Sequence, residues 1–305
     1  MKQMLLIVNP VAGQKKAAKN LAEIIEIFNR ADYEVKVYIT SQEKDAEKFA
    51  GFLMQPLDIV VCCGGDGTLN ATVNVMLQEN RNIPIGYIPA GSTNDFANSL
   101  GLSLDVLEAA KQIVNGTPKQ YDIGKFKERY FSYVASFGAF TKTSYATSQN
   151  IKNSLGHMAY VLEGIQEISK IRKWHLKLET DTEVIEDDYL FGAICNSTSV
   201  GGVLTLKPEL VDMGDGKFEV LLVRAPKNLT EVGECIAALK AQTYDCGMIT
   251  FRSTGSMEIT ADADMLWSLD GERMEGAEHI NVANLHRSIT LVHYKHRRKS
   301  NLGRF

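Results

Sequence analysis

No run of about 18 consecutive apolar residues occurs in the 305-residue chain, which leaves no sequence candidate for a helical membrane span. Met1-Lys2-Gln3 leads directly into Met4-Leu5-Leu6-Ile7-Val8, an apolar stretch too short for the core of a secretory signal. The expectation is a cytoplasmic protein that touches membranes only transiently and from outside. Excess positive charge is also missing. The 33 Lys and Arg face 37 Asp and Glu, a net charge of -4, which argues against a general nucleic-acid binder. Cys62, Cys63, Cys195, Cys235 and Cys246 match no zinc spacing. In a chain without a secretory signal they read as reduced thiols, with Cys62 and Cys63 packed on opposite faces of a strand. None of the six histidines belongs to a His-Glu-x-x-His pair.

What the chain does have is 45% hydrophobic and 23% charged residues, enough for a substantial core, and a regular alternation of elements. Strands are expected at 5–8, 34–39, 57–62 and 83–88. Helices are expected at 17–28, where Ala17, Leu21, Ile24, Ile25 and Phe28 recur at helical spacing, at 43–53 and at 69–77. Near-continuous apolar strands alternating with helices predict a doubly wound parallel sheet covered on both faces. The pattern changes near residue 120. Strands are then expected at 130–137, 174–179, 189–196, 218–223, 256–261, 279–282 and 288–293, with helices at 154–171 and 230–241, which suggests an antiparallel β-sandwich. The predicted architecture is an α/β domain over residues 1–125 and an all-β domain over 126–285. Residues 286–305 form a C-terminal segment that returns to the first domain. The site is expected in the cleft between the domains, beyond the carboxyl ends of the parallel strands. Lys295, Arg297, Arg298, Lys299 and Arg304 make the tail basic: either a solvated terminus or a foothold on anionic lipid, worth about 1 kcal/mol per basic residue.

Gly64-Gly65-Asp66-Gly67-Thr68 is the most informative stretch. Its glycines let backbone approach a ligand and take positive φ, and the helix that follows favours an anion at its start. It is neither Gly-x-Gly-x-x-Gly nor Gly-x-x-x-x-Gly-Lys-Ser/Thr. The aspartate would repel a bare phosphate, so it points to a metal ion, a ribose or a donor group. Later acidic turns stand at Asp212-Met213-Gly214-Asp215-Gly216-Lys217 and Leu269-Asp270-Gly271-Glu272. The first offers oxygen donors for a hard cation, the second two carboxylates of which one could take a proton.

Asn9-Pro10-x-x-Gly13, Gly64-Gly65-Asp66-Gly67-Thr68-Leu69-Asn70 and Pro89-x-Gly91-Ser92-Thr93-Asn94-Asp95 stand in order at the ends of the first, third and fourth strands. This series resembles the diacylglycerol-kinase catalytic family, which includes sphingosine and ceramide kinases, and within it the soluble bacterial lipid kinases. The resemblance extends through Tyr121-Asp122-Ile123-Gly124 and the later Asp-Gly turns. It implies an NAD-kinase-like nucleotide domain and Mg²⁺-ATP-dependent phosphorylation of a lipid hydroxyl at a membrane surface. By the same resemblance Asn9, Pro10, Val11, Ala12 and Gly13 belong to the ATP-phosphate site, and Thr40 contacts the nucleotide. Gly64, Gly65, Asp66, Gly67, Thr68, Leu69 and Asn70 form the main nucleotide loop, with Ser92 beside it. Asp95 joins the magnesium and phosphate network, and Asp122 lies at the domain junction. Asp212, Asp215 and the Lys217 backbone would hold a structural magnesium, although Gly214-Asp215 replaces the family's usual acidic pair. Asp270 and Glu272 together supply the catalytic base. Replacing Asp66 or Asp270 with alanine is expected to abolish turnover without unfolding the chain. Rival readings are a NAD kinase and a non-catalytic nucleotide- or lipid-sensing module. A homodimer is the default assembly.

Overall fold

The computed structural model describes residues 1–41, 45–138, 172–200 and 204–293. The helix expected at 154–171 and the basic tail lie outside the described residues. Strands β1 (Lys2–Val8), β2 (Tyr33–Ile39), β3 (Ile59–Gly64) and β4 (Ile85–Pro89) form a parallel sheet in the order β2-β1-β3-β4. All six residues of β3 are buried, because apolar clusters cover both faces of the sheet. Cys62 enters one cluster and Cys63 the other. The helices are α1 (Lys16–Lys19), α2 (Leu21–Arg30), α3 (Asp45–Leu53), α4 (Asp66–Gln78), α5 (Asp95–Leu100) and α6 (Val106–Val114).

Two helix boundaries differ from expectation. The single helix over 17–28 breaks at Asn20, whose amide donates to the Lys16 carbonyl at 2.9 Å and closes α1 from its side chain. The helix expected from residue 69 starts at Asp66 with Gly65 as its cap, so most of the glycine loop is the first turn of α4.

The second domain is antiparallel, with its core on Phe126, Phe131, Phe137, Trp174, Phe218 and Trp267. Strand β5 (Thr117–Phe126) leads from the first domain into β6 (Arg129–Phe131), β7 (Val134–Gly138), β8 (Trp174–Glu179) and β9 (Val184–Cys195). The short pair β10 (Ser199–Val200) and β11 (Leu204–Thr205) follows, then β12 (Phe218–Arg224), α7 (Leu229–Ala241), β13 (Ile249–Thr254) and β14 (Ser256–Ala261). The described residues end with β15 (Trp267–Leu269), β16 (Glu272–Met274) and β17 (His279–His293).

Two strand expectations change here as well. The run 130–137 bends at Ser132 and Tyr133 instead of continuing, and the strands expected at 279–282 and 288–293 are one strand, β17. That strand shifts register between Leu285 and Ile289, where Arg287 takes a φ of +51°. It pairs with β14 and β5, then places Leu291 and Val292 parallel to Ile85 and Gly86 of β4. Both domains therefore share one continuous sheet. One apolar cluster also spans them, from Leu5, Ile7 and Val60 through Tyr133 to Leu190 and Leu221. The cleft between the domains thus rests on buried side chains on both sides.

Candidate active site

A cavity of about 760 Å³, within the usual range for small-molecule sites, opens over the carboxyl ends of β1, β2 and β3. Asn9, Pro10, Val11, Ala12, Gly13, Thr40, Gly65, Gly67, Thr68 and Ser92 line it. Gly64, Asp66, Leu69, Asn70, Asp95 and Asp122 are not in its lining. Sequence reasoning missed its apolar wall, to which Tyr38, Phe49, Ala71, Thr72 and Val75 belong. The signal was present: Thr68, Ala71, Thr72 and Val75 recur every three or four residues on one face of α4.

The loops abut closely. The Asn9 amide donates to Thr68 Oγ1 at 3.1 Å, joining the first loop to α4. A Cβ on Gly13 would lie 2.0 Å from the Ala90 carbonyl oxygen, and one on Gly91 would lie 2.6 Å from Gly65 Cα. Gly13, at a φ of +44°, begins a left-handed turn continued by Gln14 and Lys15. Gly64, Gly65 and Gly67 have no positive φ, contrary to expectation; close approach to other groups accounts for glycine at 64 and 65.

Asp66 sits at the start of α4 and reaches across to the next loop. Its Oδ2 accepts from the Asp95 N–H at 2.9 Å, and its Oδ1 accepts from the Phe96 N–H and the Tyr87 hydroxyl, each at 3.4 Å. Asp95, which is buried, accepts from the Ser199 hydroxyl of the second domain at 3.0 Å.

From the second domain, Asp270 occupies the turn between β15 and β16 with a φ of +50° and is 4% exposed. The bend at Ser132 and Tyr133 holds it. Oδ2 accepts from the Ser132 N–H at 2.6 Å, and Oδ1 from the Tyr133 and Val134 N–H groups at 3.0 Å each. Burial pushes this carboxyl from 3.8 to about 7; the three N–H groups pull it down and the charge of Asp66 pushes it further up. Glu272 differs: it is half exposed and accepts from Arg129 at 2.7 Å. Its Oε1 would lie 3.6 Å from a Cβ on Gly67, so it stands beside the first turn of α4.

Asp122 has other work. It is fully buried, accepts from the Gly216 and Arg287 N–H groups at 2.7 Å each, and lies 3.1 Å from His286 Nδ1. It ties β5 to the 212–217 loop and the bulge of β17, outside the cavity lining. In that loop Asp212 and Asp215 accept from Gly214 and Lys217 N–H groups, and the Lys217 carbonyl accepts from Asn284 at 3.0 Å. Among the described residues no group of three or more His, Cys, Asp or Glu side chains is arranged to hold a metal ion. Sequence reasoning also missed Glu219, buried behind the loop with an Oε2 that has no hydrogen-bond partner among the described residues. Burial, then the charge of Asp215 and more weakly that of Asp212, raise it to about 8.

A cavity of this size at the ends of parallel strands, with Glu272 of a second domain beside the first turn of α4, suits a two-domain kinase. Comparison with known proteins places it more narrowly. Residues 3–126 match the diacylglycerol kinase catalytic domain, and residues 134–285 match the YegS C-terminal NAD kinase beta sandwich-like domain. The chain is 29% identical to the diacylglycerol kinase of Bacillus subtilis over 96% of each chain. It is 30% identical to that of Staphylococcus haemolyticus, over 93% of this chain and 86% of the relative. A diacylglycerol kinase structure from Bacillus anthracis superposes with a TM-score of 0.72 at 23% identity, covering 96% of this chain and 97% of that one. The chain belongs to the diacylglycerol kinase family. No helix among the described residues is long and apolar enough to cross a membrane.

Proposed function

We propose that the chain transfers the terminal phosphoryl group of ATP, with Mg²⁺, to the hydroxyl of a diacylglycerol-type lipid presented at a membrane surface. The observation that carries this reading is Asp270, a buried carboxylate near neutral affinity for protons, fixed by three backbone N–H groups opposite the nucleotide loop. A base of that kind can orient an alcohol and accept its proton as the alcohol oxygen attacks phosphorus. Glu272, held by Arg129 at the loop, is placed to position rather than to take the proton. The cavity of Asn9–Gly13 and α4 would receive the nucleotide, with Tyr38, Phe49 and Val75 as its apolar wall.

The donor set near the nucleotide, Asp66 and Asp95, consists of hard oxygens that act together with Asp270 and Glu272 on one buried hydroxyl, that of Tyr133. Such crowding of negative charge fits a divalent cation. When bound, Mg²⁺ would neutralise charge between these carboxylates and the phosphates. The 212–217 loop fits a second, structural cation on similar grounds: the charges of Asp212 and Asp215 both bear on the buried, half-partnered Glu219.

Incubating the protein with labelled ATP and Mg²⁺ tests the reading, using vesicles that carry diacylglycerol, phosphatidylglycerol or sphingosine, and NAD in solution. Label is expected in diacylglycerol. Transfer to NAD alone, or to none of the four, would overturn it.

The pH response has opposite signs for activity and stability. Turnover should rise with pH along a limb that bends near pH 7 as Asp270 loses its proton. Asp270 binds its proton more tightly folded than unfolded, so its stabilising contribution is complete below about pH 4. That contribution is lost as pH climbs to about 7, and Glu219 extends the loss to about 8. The Tm of the ligand-free protein should therefore fall between pH 5 and pH 8; a Tm that rises across that window would contradict the assignment.

A further inference from the structure

Tyr133 has a second feature besides the backbone N–H that it gives to Asp270. Its side chain is 1% exposed, and its hydroxyl is buried with no hydrogen-bond partner among the described residues. Folding alone gives no reason to keep such a group, since an apolar ring of the same shape would avoid the desolvation. Its surroundings show what kind of partner is missing. Burial, and after it the charges of Asp270, Asp66, Asp95 and Glu272, keep the hydroxyl protonated. Tyr87, whose own hydroxyl already donates to Asp66, is close enough to interact with it. Tyr133 is thus a neutral donor located where the carboxylates of the nucleotide loops meet those of the second domain.

On the kinase reading above, the group that must pass between those two sets is the phosphoryl group itself. The acceptor alcohol is a poor partner for a donor at this point, because its oxygen must offer a lone pair to phosphorus while Asp270 removes its proton. The non-bridging phosphoryl oxygens carry negative charge throughout and need donors. We propose that the Tyr133 hydroxyl donates a hydrogen bond to a non-bridging oxygen of the phosphoryl group during transfer. In this step the bond from phosphorus to the bridging oxygen of ADP breaks as the bond to the alcohol oxygen forms. The alcohol proton goes to Asp270, and Tyr133 keeps its own.

Tyr133→Phe removes the hydroxyl alone. The kcat should drop by about 100-fold, the scale seen when one donor to a developing charge is deleted. KM for ATP and for lipid should each stay within about twofold, because the contact strengthens in the transition state. Binding of ADP–Mg²⁺–fluoroaluminate, a mimic of the phosphoryl group in transit, should weaken by a similar factor, while ADP–Mg²⁺ binds as before. The Tm should equal or exceed the wild-type value, since an unpartnered buried group has gone. A phenylalanine variant with wild-type kcat and wild-type fluoroaluminate affinity would overturn the proposal while leaving the kinase reading intact. A Tm drop of several degrees without a selective loss of fluoroaluminate binding would also overturn it, as a purely structural hydroxyl. Absence of transfer by the wild type would remove both.

Discussion

Asp270→Asn should lower kcat by about 10³-fold and strand one N–H, that of Ser132, at about 1–3 kcal/mol at pH 5 and less at pH 8. Asparagine cannot accept the alcohol proton, yet it resembles the protonated carboxyl in shape and keeps an acceptor oxygen for the N–H groups of Tyr133 and Val134. The raised affinity of Asp270 for protons means that its charged form is unfavourable in the folded protein even after three hydrogen bonds. Removing that charge removes the penalty, so the catalytic and structural effects separate.

Alanine behaves differently. It would strand the N–H groups of Ser132, Tyr133 and Val134, at about 1–3 kcal/mol each, against a typical total stability of about 5–15 kcal/mol. The sequence-based expectation that Asp270→Ala abolishes turnover without unfolding is therefore revised. The same holds for Asp66, whose carboxylate anchors the start of α5. Single-turnover transfer and calorimetry at both pH values check the asparagine variant. Retention of a tenth of wild-type kcat would remove Asp270 as the base.

Gly13→Ala is the second large effect: nucleotide affinity should fall by about 100-fold. The new Cβ would lie 2.0 Å from the Ala90 carbonyl oxygen and 2.9 Å from that of Gly91, and both neighbours are backbone. The residue would also hold a φ of +44°, which costs about 1–2 kcal/mol once a Cβ is present. Overpacking adds about 1–3 kcal/mol, and a total near 3 kcal/mol corresponds to the stated loss. The turn must lift away from the end of β4, which moves Pro10, Val11 and Ala12 out of the cavity wall. Calorimetric titration with ADP–Mg²⁺ measures it, with circular dichroism to verify the fold. Affinity within threefold of wild type would show that the first loop does not shape the site.

The parallel sheet was legible because strands buried on both faces leave continuous apolar runs, as Ile59 to Cys63 does. The same continuity misled further on. Tyr130 to Phe137 is apolar almost throughout, so nothing in its composition marked the bend at Ser132 and Tyr133 that cradles the base. At β17 the reverse occurred: Asn284, His286 and Arg287 read as a break, yet the backbone absorbs them in a bulge. Asp270 and Glu272 could be found in the sequence as a pair. Telling them apart needed the burial of one and the exposure of the other, which depend on contacts about 140 positions away. Glu219 carried no motif, and only the strand alternation that turns it away from Phe218 and Val220 shows where it lies.

A strand that serves both domains has a consequence for how the molecule comes apart. Ending the chain before β17 would strip a neighbour from β4, β5 and β14 together, leaving open hydrogen-bonding edges in both halves. Neither half is thus a self-sufficient folding module, and a nascent chain cannot complete the sheet of its first domain until β17 has emerged.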